Sequence, residues 1–102
     1  MADNEYSYPN IGDGIKKVTT AGTAVQVSTT SIPCRKVLIQ ACPENTGTVV
    51  VGASTVVAAS GTRRGYALVP GQDVVLAVTD VNKLYADATV SGEGISYVYF
   101  ND

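Results

Sequence analysis

The groups available for chemistry in this 102-residue chain are nine carboxylates, two cysteines and a scatter of hydroxyls; histidine and tryptophan are absent. Without histidine, neither a Ser-His-Asp nor a Cys-His nucleophile can be assembled. A carboxylate pair is the remaining route to acid–base work. The acids Asp3, Glu5, Asp13, Glu44, Asp73, Asp80, Asp87, Glu93 and Asp102 fall mostly at turns and strand edges. Carboxylates there serve turn geometry and solubility. Asp80-Val81-Asn82 with Asp87 could offer oxygens to a calcium ion, but the dense alternating acids of a calcium loop are missing, and an ordinary turn is the better reading. Gly12-Asp13-Gly14 and Gly92-Glu93-Gly94 are too short to cradle a phosphate and read as turns. No catalytic set, metal or cofactor is expected.

Cys34 and Cys42 are separated by a stretch that reads as one strand. At about 3.3 Å per residue this puts them about 26 Å apart, whereas a disulfide tolerates about 7 Å between Cα atoms. Both are expected as free thiols.

The seven basic residues and net charge of −2 leave no basic tract. Lys16–Lys17 and Arg35–Lys36 are neighbours on strands, so their side chains point to opposite faces. Nucleic acid is therefore not an expected partner. Arg63 and Arg64 lie in a loop between glycines and could dock an acidic partner, although a simply solvated loop is the better reading. No apolar run approaches the roughly 18 residues of a membrane span, and the polar, acidic start is unlike a signal peptide. The expected site of synthesis is the cytoplasm.

The elements that must position these groups are strands. Val, Thr, Ile, Ala and Tyr recur in short runs fenced by Gly, Pro, Asn and Ser, and helical periodicity is weak. Runs are expected over 15–20, 23–28, 36–41, 48–51, 55–59, 66–69, 73–79, 83–90 and 95–100. Ala21-Gly22 is a candidate two-residue hairpin, and Pro70-Gly71 a type II turn. Eight or nine strands at this spacing predict one small antiparallel β-sandwich or barrel, jelly-roll-like, over residues 15–102. Residues 1–14 read as an extended N-terminal arm whose large apolar groups, Tyr6, Tyr8 and Ile11, are its candidate anchors on a partner. Tyr97 and Tyr99 share a strand face; packing is the better reading, a sugar platform the other.

The segments Val18-Thr19-Thr20-Ala21-Gly22-Thr23-Ala24-Val25-Gln26-Val27, Ile32-Pro33-Cys34-Arg35-Lys36-Val37 and Val51-Gly52 resemble small tailed-phage virion proteins. Val69-Pro70-Gly71-Gln72-Asp73-Val74, Leu84-Tyr85-Ala86-Asp87-Ala88 and Gly92-Glu93-Gly94-Ile95-Ser96-Tyr97 extend the resemblance over residues 18–100. The group looks like the capsid decoration, or cement, proteins, with relatives in head fibres and tails. The resemblance implies a compact, commonly trimeric β domain on the outer capsid surface of the virion. Its partner would be the major capsid protein, clamped against internal pressure, with the arm reaching across coat subunits. The shared residues are turn formers, so no family site residue carries over. The alternative is a host-surface, sugar-binding module of a head fibre, tail or baseplate.

Overall fold

The computed structural model describes residues 11–100. Eight strands form: β1 (Ile11–Lys17), β2 (Val25–Gln26), β3 (Lys36–Ala41), β4 (Val49–Gly52), β5 (Tyr66–Leu68), β6 (Asp73–Ala77), β7 (Tyr85–Ala88) and β8 (Gly94–Phe100). A single 3-10 turn, Val81–Lys83, precedes β7. One sheet has the order β1-β8-β3-β6, the other β2-β7-β4-β5, and every pair is antiparallel. Strands one and eight, two and seven, three and six, and four and five are thus neighbours. This is a long hairpin rolled into two sheets, the jelly-roll arrangement.

Alternation along the strands makes the core. Val37, Ile39 and Ala41 of β3 are fully buried, as are Ile95 of β8 and, across the sandwich, Val49, Leu68 and Ala86. Each valine, leucine or isoleucine among them contributes about 1.5–3 kcal/mol by leaving water. Tyr97 joins this core and Tyr99 packs against it. Their rings need β1 to be thin. A Cβ on Gly12 would lie 2.1 Å from the Tyr99 ring and one on Gly14 2.4 Å from the Tyr97 hydroxyl.

That observation corrects two expectations. Gly12-Asp13-Gly14 is strand rather than turn, and pairing with β8 reaches back to Ile11, opposite Phe100. Residues 11–14 therefore belong to the sheet, and what remains of the expected arm, residues 1–10 with Tyr6 and Tyr8, lies outside the described residues. Ala21-Gly22 does turn the chain, with Gly22 at φ +89 and Thr23 N–H donating to Thr20 O. It joins no hairpin, because β1 and β2 belong to different sheets. The expected strand over 55–59 reduces to one bridge, Val57 to Arg64. Pro70-Gly71 turns as expected, with Gly71 at φ +82 and Gln72 N–H on Val69 O.

Candidate functional site

The two outer faces of the sandwich are unlike. Over the β2-β7-β4-β5 sheet, the segment 53–65 folds back to bury Val56 and Ala58 against Val50, with Ala24, Ala67 and Tyr85 around them. Asp87 staples this cover down. Its carboxylate is almost wholly buried and accepts from three backbone N–H groups: Gly22 (3.0 Å), Ala88 (2.8 Å) and Ala58 (2.9 Å). Beside it, Ala21, Gly22, Ala59, Ser60, Ala88 and Thr89 line an open hollow of about 420 Å³. Small side chains without charge or aromatic surface give it little to hold a ligand with.

The outer face of the β1-β8-β3-β6 sheet has no such cover among the described residues. The register sets its side chains in three cross-strand rows: Ile11, Phe100, Lys36 and Ala77; then Asp13, Val98, Leu38 and Val75; then Ile15, Ser96, Gln40 and Asp73. Ile11, Ile15 and Val75 are 66%, 60% and 54% exposed, values far from those of a sheet packed on both sides. Phe100 is partly shielded by the Lys36 ammonium, 5.4 Å from its ring centre, an attraction of about 0.5–1 kcal/mol at an exposed site. An apolar band with Asp13, Lys36 and Asp73 at its rim has the make-up of a contact surface. It can bury area against a partner.

The expected partner-binding residues do not converge. Ile11 stands at the corner of this bare face. Arg63 and Arg64 sit on the other sheet's cover, where Arg63 Nε donates to Ala58 O (3.0 Å) and Arg64 is tied by its backbone to Val57. Arg63 thus helps fasten the 53–65 segment. Sequence reasoning missed Leu38, Val75, Val98 and Phe100. Their signal was present: 37–39 and 74–77 are apolar without interruption, the pattern of a strand covered on both faces.

Two further acids, Asp80 and Glu93, are occupied in turns. Asp80 accepts from the Ser31 hydroxyl and from the N–H groups of Ile32 (2.8 Å) and Asn82 (2.9 Å). Glu93 accepts from Thr46 N–H (2.7 Å), the Thr46 hydroxyl (2.8 Å) and Gly47 N–H (2.9 Å). Asp80 and Asp87 serve separate turns, and no group of three His, Cys, Asp or Glu side chains gathers among the described residues. Cys34 and Cys42 are free and buried; the Cys34 thiol donates to Val78 O (3.2 Å), and burial, with the Asp80 charge second, raises its pKa. Tyr97 is likewise raised, first by burial, then by Tyr99 and Asp13. Both tyrosine rings are turned toward the core rather than set out as a platform.

The Ser31 hydroxyl chiefly holds the Asp80 carboxyl below its ordinary range, with Asn82, Ile32 and Lys83 adding and burial opposing. For Glu93 the Gly47 N–H leads, helped by Thr46 and Lys17, again against burial. A depressed folded-state pKa means stability that is fully present above the unfolded values, about 3.9 and 4.3, and is lost as pH falls through the lower folded ones. The melting temperature should therefore hold from pH 7 to about 5 and drop below pH 4, and Asp80→Asn with Glu93→Gln should flatten that acid limb. An unchanged limb in the double variant would assign it to other carboxylates.

No protein-family model, curated protein or solved structure matches the chain.

Proposed function

We propose that this protein is a phage capsid decoration protein: a homo-oligomeric clamp on the outer surface of the head that stabilises coat subunits against internal pressure. The bare apolar face carries the proposal. A domain that packs one sheet face beneath a stapled cover and, among the described residues, leaves the other apolar and open is suited to adhesion. The resemblance across residues 18–100 points to the head as the surface adhered to. Jelly-roll layouts also serve lectins, and a fold alone selects no function. Against a sugar-binding module stand the inward-facing tyrosines and the featureless hollow beside Asp87. In this reading Ile11 and Ile15 press on the coat, Tyr6 and Tyr8 anchor on neighbouring coat subunits, and Arg63 and Arg64 face away.

Binding to heads stripped of decoration tests this. Burying one isoleucine is worth about 1.5 kcal/mol or more, so the double substitution Ile11→Glu and Ile15→Glu should weaken binding about a hundredfold. Both side chains are largely exposed in the free protein, so the fold should persist by circular dichroism. Removing residues 2–10, which leaves β1 whole, should weaken binding further. Full occupancy by the double variant, or binding to cell-wall glycans with none to heads, would overturn the proposal.

A further inference from the structure

The edges of the two sheets are guarded unequally. In the covered sheet the edge strands β2 and β5 have only 2 and 3 residues. In the bare sheet β1 is long but carries Lys16 and Lys17, charges that discourage pairing with another chain. The opposite edge, β6, reads Asp-Val-Val-Leu-Ala. It has no proline, glycine or lysine, and among the described residues its one strand partner is β3.

The ladder shows which of its peptide groups are spare. Ala41 N–H donates to Gln72 O (2.9 Å) and Cys42 N–H to Gly94 O (3.1 Å). Odd-numbered residues of β3 therefore bond toward β6 and even-numbered ones toward β8. Ile39 and Val37 engage Val74 and Leu76. Antiparallel alternation then leaves the N–H and C=O of Asp73, Val75 and Ala77 pointing away from the sheet.

We propose that a second copy of this chain pairs along β6, antiparallel and centred on Val75, joining the two bare sheets into one of eight strands. The register satisfies the spare groups: Val75 meets Val75 of the second copy, and Asp73 meets Ala77. Its charges also fit. The only charge on β6, Asp73, avoids its own counterpart. It enters the row of Lys36 in the other copy, with small Ala77 between. The apolar bands, each running from Ile11 to Val75, merge across the seam, so one pair presents a doubled face to its partner. This replaces the three-fold arrangement implied by the resemblance with a two-fold one, and it rests on the homo-oligomeric part of the proposed function alone.

Light scattering on the free full-length protein tests it without heads. At about 0.1 mM, where a seam of this small size should be populated, the mass should be twice the 10.6 kDa of one chain. Val75→Pro removes an N–H that β3 does not use, at an edge position where proline is tolerated. Val75→Lys sets two like charges directly opposite each other. Both should halve the measured mass with the far-ultraviolet spectrum unchanged. Concentration should slow amide exchange at Val75 and Ala77 in the native protein and leave exchange at Ala77 unchanged in both variants. A monomer or trimer in the native protein, or a dimer surviving both substitutions, would overturn the seam. Head binding by such a protein would leave the decoration reading standing, so the two can fail separately.

Discussion

Replacing Asp87 with alanine is expected to lower unfolding stability by at least about 2 kcal/mol, since each stranded buried N–H costs about 1–3 kcal/mol and the bonds from Ala58 and Ala88 are buried, that from Gly22 partly so. Three donors, on Gly22, Ala58 and Ala88, lose their acceptor at once. Two of them lie in segments that have no ladder to hold them, so the cover over Val50 should loosen with them. A domain of this size moves by about 4–8 °C per kcal/mol, which puts the melting point at least about 8 °C lower. Asp87→Asn should fall between, because one amide position presents hydrogens to a donor. Urea titration checks both; a loss under about 1 kcal/mol would mean that water replaces the carboxylate without penalty.

Gly94→Ala should be comparably damaging by a different route. A Cβ there would stand 2.0 Å from Lys16 O and 2.7 Å from Lys17 Cα. Backbone cannot swing aside as a side chain can, so β1 must part from β8 at its Lys17 end. The shift also disturbs Asn45, whose Nδ2 donates to Gly94 O (2.8 Å) and whose Oδ1 accepts from Gly94 N–H (3.4 Å). A loss of about 3 kcal/mol is expected, at the upper end for overpacking. Amide exchange should accelerate along β1 while β4 and β7 stay protected. Equal acceleration in both sheets would show that the strain is not local. Gly12→Ala makes the useful contrast, since its Cβ would meet only the outer end of the Tyr99 side chain, and a ring tip can move.

The all-β class and most strands were legible because local alternation wrote them: Val37, Ile39 and Ala41 on one face of β3, Val74 and Leu76 on one face of β6. Turn chemistry placed Pro70-Gly71 for the same local reason. What escaped depended on partners distant in the chain. Gly12 and Gly14 look like turn formers until Tyr99 and Tyr97 are laid across them. Ala21-Gly22 looks like a hairpin until the Gly22 N–H is seen on Asp87, 65 residues away. Asp87 itself looks like a surface acid, since nothing adjacent announces its three donors. The bare face was not legible: Ile11 was named from the residues only as an anchor of an arm, and its place on that face needed the register of four strands.

The position of β8 has a consequence for how the molecule comes into being. It lies between β1 and β3, so among the described residues β1 has no strand neighbour until β8 has left the ribosome. Joining them closes a loop of most of the chain, a step whose entropy is spent before any contact returns it. In the interval β3 has only β6 beside it, and the apolar residues of β1 and of the β8-facing edge of β3 wait unpaired, open to collision with other nascent chains. Synthesis in large numbers within one cell would make that waiting time a quantity under selection, and chaperone demand its visible trace.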